Sequence, residues 1–387
     1  MRVLFSTTAG AGHFGPQVPF AKACQAAGHE VMVAAPASFA SSVAAASLAH
    51  APFADVPPDV MGAVYGRLSW VSHEEANAIV IGEIFGRLDA QAALAGVSAT
   101  VEGWRPDVVI REPCEFASWV VAEKAGVPQA TVAIGVAAMD EVSLPALLEP
   151  LAELRALAGV DDDPELARLA ALPCLSTLPP TFDATDARGP DAIRRFRHPV
   201  HGHPQGRVPA PWGDPASPLV YVTFGSITRT VPVFAPVYGA AVEVLGDLDM
   251  RVLLTVGEGD GLPVDRVPAN VHIERWWPQA DVMPLASAVV GHGGFGTTMT
   301  ALAGGVPQVV VPLFSTDQFL NGERVSDVGV GMCIQGGVDG IGALPDALGR
   351  VLAEPAFGES ARRMAGEIAG LPDVSEAVPF LEALASA

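Results

Sequence analysis

What most constrains this 387-residue chain is a rhythm that occurs twice, short apolar runs alternating with segments of helix length. In the first series Val3-Leu4-Phe5-Ser6 reads as a strand, Gln17 to Ala27 as a helix stopped at Gly28, and Glu30 to Ala34 as the next strand. Asp107-Val108-Val109-Ile110 follows as a further strand, and Phe116 to Ala125 as a helix ended by Gly126 and Pro128. Between Asp183 and Pro218 the rhythm dissolves into Pro, Gly, Arg and His, then resumes with Leu219 to Phe224. Val252 to Val256, Ala288 to Gly291 and Gln308 to Val311 continue it. Strands that alternate with helices make a parallel sheet covered on both faces. The expected fold is therefore α/β, with two Rossmann-like domains (1–202 and 218–370), a linker at 203–217, and a binding cleft between the domains at the strands' carboxyl ends.

Composition removes several classes of function. Half of the residues are hydrophobic, and 40 Gly and 34 Pro mark a turn-rich globular protein rather than a disordered one. A net charge of −21 argues against a nucleic-acid partner, because neutralising phosphates takes clustered Lys and Arg. Cys24, Cys114, Cys174 and Cys333 are scattered without a CxxC, so reduced thiols are expected, with no disulfide framework and no zinc site. No basic segment precedes the first apolar run, and no stretch of eighteen apolar residues occurs, so the expectation is a cytoplasmic protein without a membrane span.

Directly after the first strand, Gly10-Ala11-Gly12-His13-Phe14-Gly15 matches GxGxxG, the dinucleotide-binding fingerprint. Such a site also needs a carboxylate at the tip of the second strand to hold the ribose, and here that strand ends Val33-Ala34-Ala35-Pro36. The glycines then serve a tight strand-to-helix turn. What remains is His13, an imidazole at the carboxyl end of a strand, where it can act as a general base or merely satisfy local backbone.

The segment from Trp276 to Gln318 is more specific. Its centre is a strand, then Gly291-His292-Gly293-Gly294, then a helix beginning near Gly296-Thr297-Thr298. Glycines let a ligand approach the backbone, and a helix start turns unpaired N–H groups and a positive dipole end toward an anion. Thr297, Thr298 and His292 add donors, which makes a diphosphate cradle without the lysine of a P-loop. Upstream, Trp276-Trp277-Pro278-Gln279 offers indole faces for a base and an amide for a ribose. Downstream, Asp317-Gln318 follows the strand Val309 to Leu313 and suits sugar hydroxyls.

Base, diphosphate and sugar groups in this order resemble the donor motif of the UGT-like family 1 glycosyltransferases of GT-B fold, closest to the bacterial natural-product branch with its HGGxGTT core and closing DQ. The resemblance spans the chain from the His13-Phe14-Gly15-Pro16 loop to the C-terminal helices, and implies that the 371–387 helix packs back on the N-terminal domain. It implies an acceptor-binding N-terminal domain and a donor-binding C-terminal one. His13 becomes the base, assisted by a carboxylate after the fourth strand: Glu112, where the family often has Asp, with Glu115 in reserve. Trp276 would stack on the base, the Trp277 backbone read its edge, and Gln279 meet the ribose. His292, Gly293, Gly294 and Thr297 would hold the diphosphate, with Ser226 as a further contact, and Asp317 and Gln318 would meet the sugar.

The implied reaction is an inverting, metal-independent transfer of a sugar or deoxysugar from a TDP- or UDP-sugar to a small hydrophobic natural product. The nucleotide-sugar is a co-substrate, no cofactor or metal is expected, and homodimerisation is left open. The alternatives are a nucleotide-sugar epimerase or hydrolase, or a non-catalytic helper with a degenerate fold. In this family the 57–100 stretch, which carries Tyr65, Trp70, His73 and Phe85, shapes the acceptor pocket, and Phe14, Trp70 and Phe85 are the expected acceptor contacts. His198, His201 and His203 lack nearby carboxylates or cysteines and read as linker rather than metal site. Arg188, Arg194, Arg195 and Arg197 read as a solvated face.

Overall fold

Parallel strands buried on both faces need helices on each side, and both apolar series meet that need with the same winding. The computed structural model describes residues 1–68, 70–183, 192–200, 205–225, 228–231, 233–257, 264 and 266–387. It divides into two units: Met1–Thr177 with Thr185–Phe196 and Pro372–Ala387, and Leu178–Ala184 with Arg197–Leu371.

The first unit holds a parallel sheet of β1 (Arg2–Ser6), β2 (Glu30–Pro36), β3 (Ala49–Phe53), β4 (Val108–Arg111), β5 (Gln129–Val132), β6 (Cys174–Ser176) and β7 (Ile193–Arg195). Their spatial order is β3-β2-β1-β4-β5-β6-β7. Alternation along β1 sends Val3 and Phe5 to one core, shared with Phe20, Val378 and Leu381, and Leu4 to the other, with Trp119 and Leu151. Residues of the C-terminal helix Ala377–Ala385 therefore complete a core of the first unit.

The second unit repeats the plan with β8 (Leu219–Thr223), β9 (Arg251–Thr255), β10 (Val271–Glu274), β11 (Ala288–Gly291), β12 (Gln308–Val310) and β13 (Gly331–Cys333), in the order β10-β9-β8-β11-β12-β13. In each sheet the winding reverses beside the first strand, between β1 and β4 and between β8 and β11. There the loops diverge at the carboxyl ends and leave room for a ligand.

Two stretches differ from expectation. The Pro-rich 203–217 segment is not a free linker where it is described: Trp212 donates its indole N–H to the Asn270 carbonyl at 3.1 Å, and Arg207 pairs with Asp281 at 3.3 Å. A half-buried indole and an ion pair dock it. The 57–100 stretch, whose periodicity is unclear, is helical throughout most of its length: Pro58–Leu68, His73–Ala78, a wider π-helical run Ile79–Asp89, and Ala90–Trp104. The π run blurs a 3.6-residue pattern because its hydrogen bonds reach one residue further. Gly82 and Gly86 let it press on the helix Ala138–Ala158, since a Cβ at Gly82 would lie 2.5 Å from the Ala146 carbonyl oxygen. His201, His203, Arg188 and Ser226 lie outside the described residues. Among the described residues no helix is long and apolar enough to cross a membrane.

One buried charge ties the first unit together. Arg155, 1 % exposed, lies over the Trp119 indole at 4.8 Å and bonds both Glu123 carboxylate oxygens at 2.8 Å. Arg168 meets the same carboxylate at 2.6 Å. Glu123→Gln is expected to lower stability to urea by about 3 kcal/mol, the scale for leaving a buried charge without its partner. An unchanged unfolding midpoint would show that the pair contributes nothing net.

Candidate active site

The pairing of Ser6 with Arg111 ends β1 and β4 side by side, so the loops that follow start as neighbours. Gly10, at φ +138, turns the first loop into a short helical turn, Ala11–Phe14, that carries His13. Gln17, fully buried, anchors the turn by donating to the Ser6 carbonyl at 3.1 Å. From the second loop comes Glu112, whose own N–H still bonds Ser6 at 3.3 Å.

The Glu112 carboxylate has no exposed surface and is satisfied from all sides. One oxygen accepts from the Thr8 N–H (3.1 Å) and hydroxyl (2.9 Å), the other from the Cys114 N–H (2.6 Å). His13 Nδ1 stands 3.2 Å from that second oxygen. The contact is an ion pair in distance, but it misses hydrogen-bond alignment. Burial, the largest influence on both groups, opposes charge in each. It is outweighed by the Glu112 charge, which holds the imidazole well above its usual range, and by the His13 charge and backbone donors, which hold the carboxyl below its own. The His13 ring keeps 22 % of its surface open and packs at 5.2 Å from the Phe85 ring. Burial and the Glu112 charge raise the Cys114 thiol, so it rests protonated. Asp89 is pushed up to about 6, by burial first and then by Glu112.

Glu115 is occupied elsewhere. Its carboxylate accepts from the Ser118 N–H at 3.1 Å and from the Ser118 hydroxyl, closing the start of the helix Ala117–Ala125. The buried Arg111 guanidinium braces this loop through the carbonyls of Glu115 (2.5 Å) and Pro113 (2.8 Å).

In the second unit Thr223 pairs with Gly291, which again sets two loops side by side. Gly225, at φ +83, follows the first; His292-Gly293-Gly294 follows the second and leads into the helix Phe295–Gly304. No side chain caps that helix start, so its first N–H groups are left for a ligand. The glycines are required by volume. A Cβ on Gly225 or Gly294 would lie 2.7 or 2.6 Å from the His292 ring, and one on Gly293 2.5 Å from the Gln318 carbonyl. Burial pushes the His292 imidazole down to about 4, so at neutral pH it is uncharged. Its Nδ1 is buried without a partner, and the tautomer protonated on Nε2 leaves no buried N–H unsatisfied.

Supporting side chains fix this loop. Gln279 donates to the Thr297 hydroxyl at 3.0 Å, which leaves the hydroxyl proton to point elsewhere. Asn321, which carries no motif signal in the sequence, donates to the Gly293 carbonyl at 2.8 Å. The Gln318 side-chain oxygen accepts from Leu313 (2.9 Å) and Phe314 (3.2 Å), so it holds the loop after β12. Asp317 opens the helix Thr316–Asp327. Trp276 is 71 % exposed, whereas Trp277 donates inward to the Arg207 carbonyl at 2.9 Å.

Of the expected acceptor contacts, only Phe85 stands beside His13. Phe14 is a core residue, edge-on to Phe39 at 5.7 Å, because the short turn that exposes His13 points its neighbour inward. Trp70 is 87 % exposed.

The chain matches two family models, "Erythromycin biosynthesis protein CIII-like, N-terminal domain" over residues 22–172 and the corresponding C-terminal domain over residues 240–384. It is 33 % identical to the L-demethylnoviosyl transferase of Streptomyces niveus, over 96 % of this chain and 95 % of that one. It is 29 % identical to the TDP-daunosamine transferase DnrS of Streptomyces peucetius, over 99 % and 97 %. The crystal structure of the glycosyltransferase VinC in complex with dTDP superposes over 100 % of both chains with a TM-score of 0.78 at 25 % identity.

Gly294→Ala is expected to displace the His292 ring and weaken dTDP binding by about tenfold, within the roughly 1–3 kcal/mol that overpacking a close-fitted group costs. Calorimetry showing unchanged affinity would mean that the imidazole need not sit where it does.

Proposed function

The chain belongs to the erythromycin biosynthesis protein CIII-like family, bacterial natural-product glycosyltransferases of GT-B fold, and from that premise we propose how it works. The donor is a TDP-deoxysugar, held by the second unit, and the acceptor a small hydrophobic aglycone, met by the first. The donor reading is supported by the dTDP complex of VinC and the TDP-sugar named for DnrS. The observation that carries the mechanism is the contact of His13 with the wholly buried Glu112 carboxylate.

The Glu112 charge faces Nδ1 and favours a proton there, so Nε2 is the nitrogen that takes the proton from an acceptor hydroxyl. As that proton leaves, the acceptor oxygen bonds the anomeric carbon, and the carbon–phosphate oxygen bond breaks on the opposite side. One in-line displacement inverts the configuration. The electron pair leaves with the nucleoside diphosphate, and its charge is met by the N–H groups of the helix Phe295–Gly304, by the Thr297 hydroxyl and by neutral His292. The imidazolium formed at His13 is stabilised by Glu112. No catalytic metal is required in this scheme. Among the described residues no group of three His, Cys, Asp or Glu side chains gathers at the cradle.

His13→Ala is expected to lower kcat by about 10²–10⁴, the usual range for a general base, with dTDP affinity retained by calorimetry. The base must be neutral to act, so kcat/KM rises with pH through the raised His13 pKa. Glu112→Gln removes the charge that raises it, so the rising limb moves to lower pH while the plateau falls. A limb that stays in place would separate Glu112 from the base.

A further inference from the structure

Cys114 has no part in the transfer just described, yet its sulfur lies in the tightest cluster of metal-binding atoms among the described residues. One ring nitrogen of His13, a Glu112 oxygen and Cys114 Sγ all fall within 4.8 Å of one another, and Nδ1 is the nitrogen 3.2 Å from the carboxylate. We propose that these three side chains form a binding site for a thiophilic divalent cation, Zn²⁺ in the first instance, and that filling it stops sugar transfer.

The geometry of the pair is that of a chelate. Zinc bound tetrahedrally at bond lengths of about 2.0 Å to nitrogen and oxygen separates those ligands by roughly 3.3 Å. His13 Nδ1 and Glu112 Oε2 are 3.2 Å apart, and they are not aligned as donor and acceptor. Cys114 offers the third corner from within 4.8 Å, on a loop whose N–H is fixed on the same carboxylate at 2.6 Å, so a rotation of the side chain is what has to bring the sulfur to bonding distance. Thr8 holds the other carboxylate oxygen by two bonds, the kind of outer support that orients a metal ligand. One nitrogen, one oxygen and one sulfur, with a fourth position left to water, suit zinc and not magnesium. The cation displaces the proton of the thiol and that of Nδ1, and its two charges are balanced by thiolate and carboxylate.

Binding depends only on these side chains; the blockade rests on the reading of His13 as the base. A cation on Nδ1 takes over the carboxylate that would stabilise the imidazolium and leaves the neutral ring's one proton on Nε2, which then has no lone pair to accept the acceptor's proton, so proton transfer is lost.

The test uses the whole protein with Co²⁺ as the first probe, since cobalt bound to a thiolate gives a charge-transfer band in the near ultraviolet. The proposal expects that band to saturate at one equivalent, to vanish in Cys114→Ala and to be bleached by Zn²⁺. Zn²⁺ should abolish transfer by the native protein and inhibit Cys114→Ser at least about tenfold less, each compared with its own metal-free rate, from the loss of one ligand. Absence of the band, or its persistence in Cys114→Ala with the fold intact by circular dichroism, overturns the site. A saturated band with undiminished transfer overturns the blockade and counts against His13 as the base.

Discussion

Burying the Glu112 carboxylate completely obliges everything around it to be in place. A charge without exposed surface has to be matched by donors and counter-charge, or it neutralises instead. Thr8 from the loop after β1, Cys114 from its own loop and His13 from the short helical turn supply that match. They are adjacent because β1 and β4 are neighbours in the sheet although about a hundred residues of chain separate them. The winding reversal thus does two things at once. It opens a crevice, and it brings His13 and Glu112 together from loops about a hundred residues apart.

The second sheet also places a histidine at its winding reversal, but on the other side of it, after β11 and beside the loop from β8, with the opposite electrostatic outcome. Among the described residues no negative charge is found to act on His292; glycines face it, and burial keeps it neutral near pH 7. His13 is equally hemmed in but faces a carboxylate, so its protonated form is favoured. The same side chain beside the same kind of winding reversal is therefore held toward its charged form in one unit and kept neutral in the other. What differs is one neighbour: a carboxylate in the first case, a missing Cβ in the second.

This division explains what could be read from the sequence. β1 and β11 were legible because a doubly covered parallel strand is a continuous apolar run, and Gly291-His292-Gly293-Gly294 because a crowded turn before a helix leaves only glycine as a solution. Glu112 was separable from Glu115 only through the resemblance, since spacing does not say which of two carboxylates turns back to β1 and which caps a helix. Phe14 misled because a pattern that exposes His13 on a four-residue turn does not reveal the inward aim of the next side chain. Gln318 and Asn321 are sequence neighbours of Asp317, yet their amides serve backbone groups of the loops after β12 and β11. Cys114 was invisible as a metal ligand because its partners are one residue two positions away and another about a hundred away.

The donor side has a further constraint that follows from composition. A chain of net charge −21 repels a nucleoside diphosphate at long range, and at physiological salt that field is screened beyond about 8 Å. Attraction must therefore come from dipoles that act within a turn of helix and not from the protein's overall field. The cradle is built that way: uncapped N–H groups at the start of the helix Phe295–Gly304, a neutral imidazole, and a threonine hydroxyl whose lone pair is already taken by Gln279. Because Gln279 donates to Thr297, that hydroxyl is left as a donor, and a donor is what an anion needs. Each of these groups loses its effect within a few ångströms, so the cradle favours an anion only once it is seated.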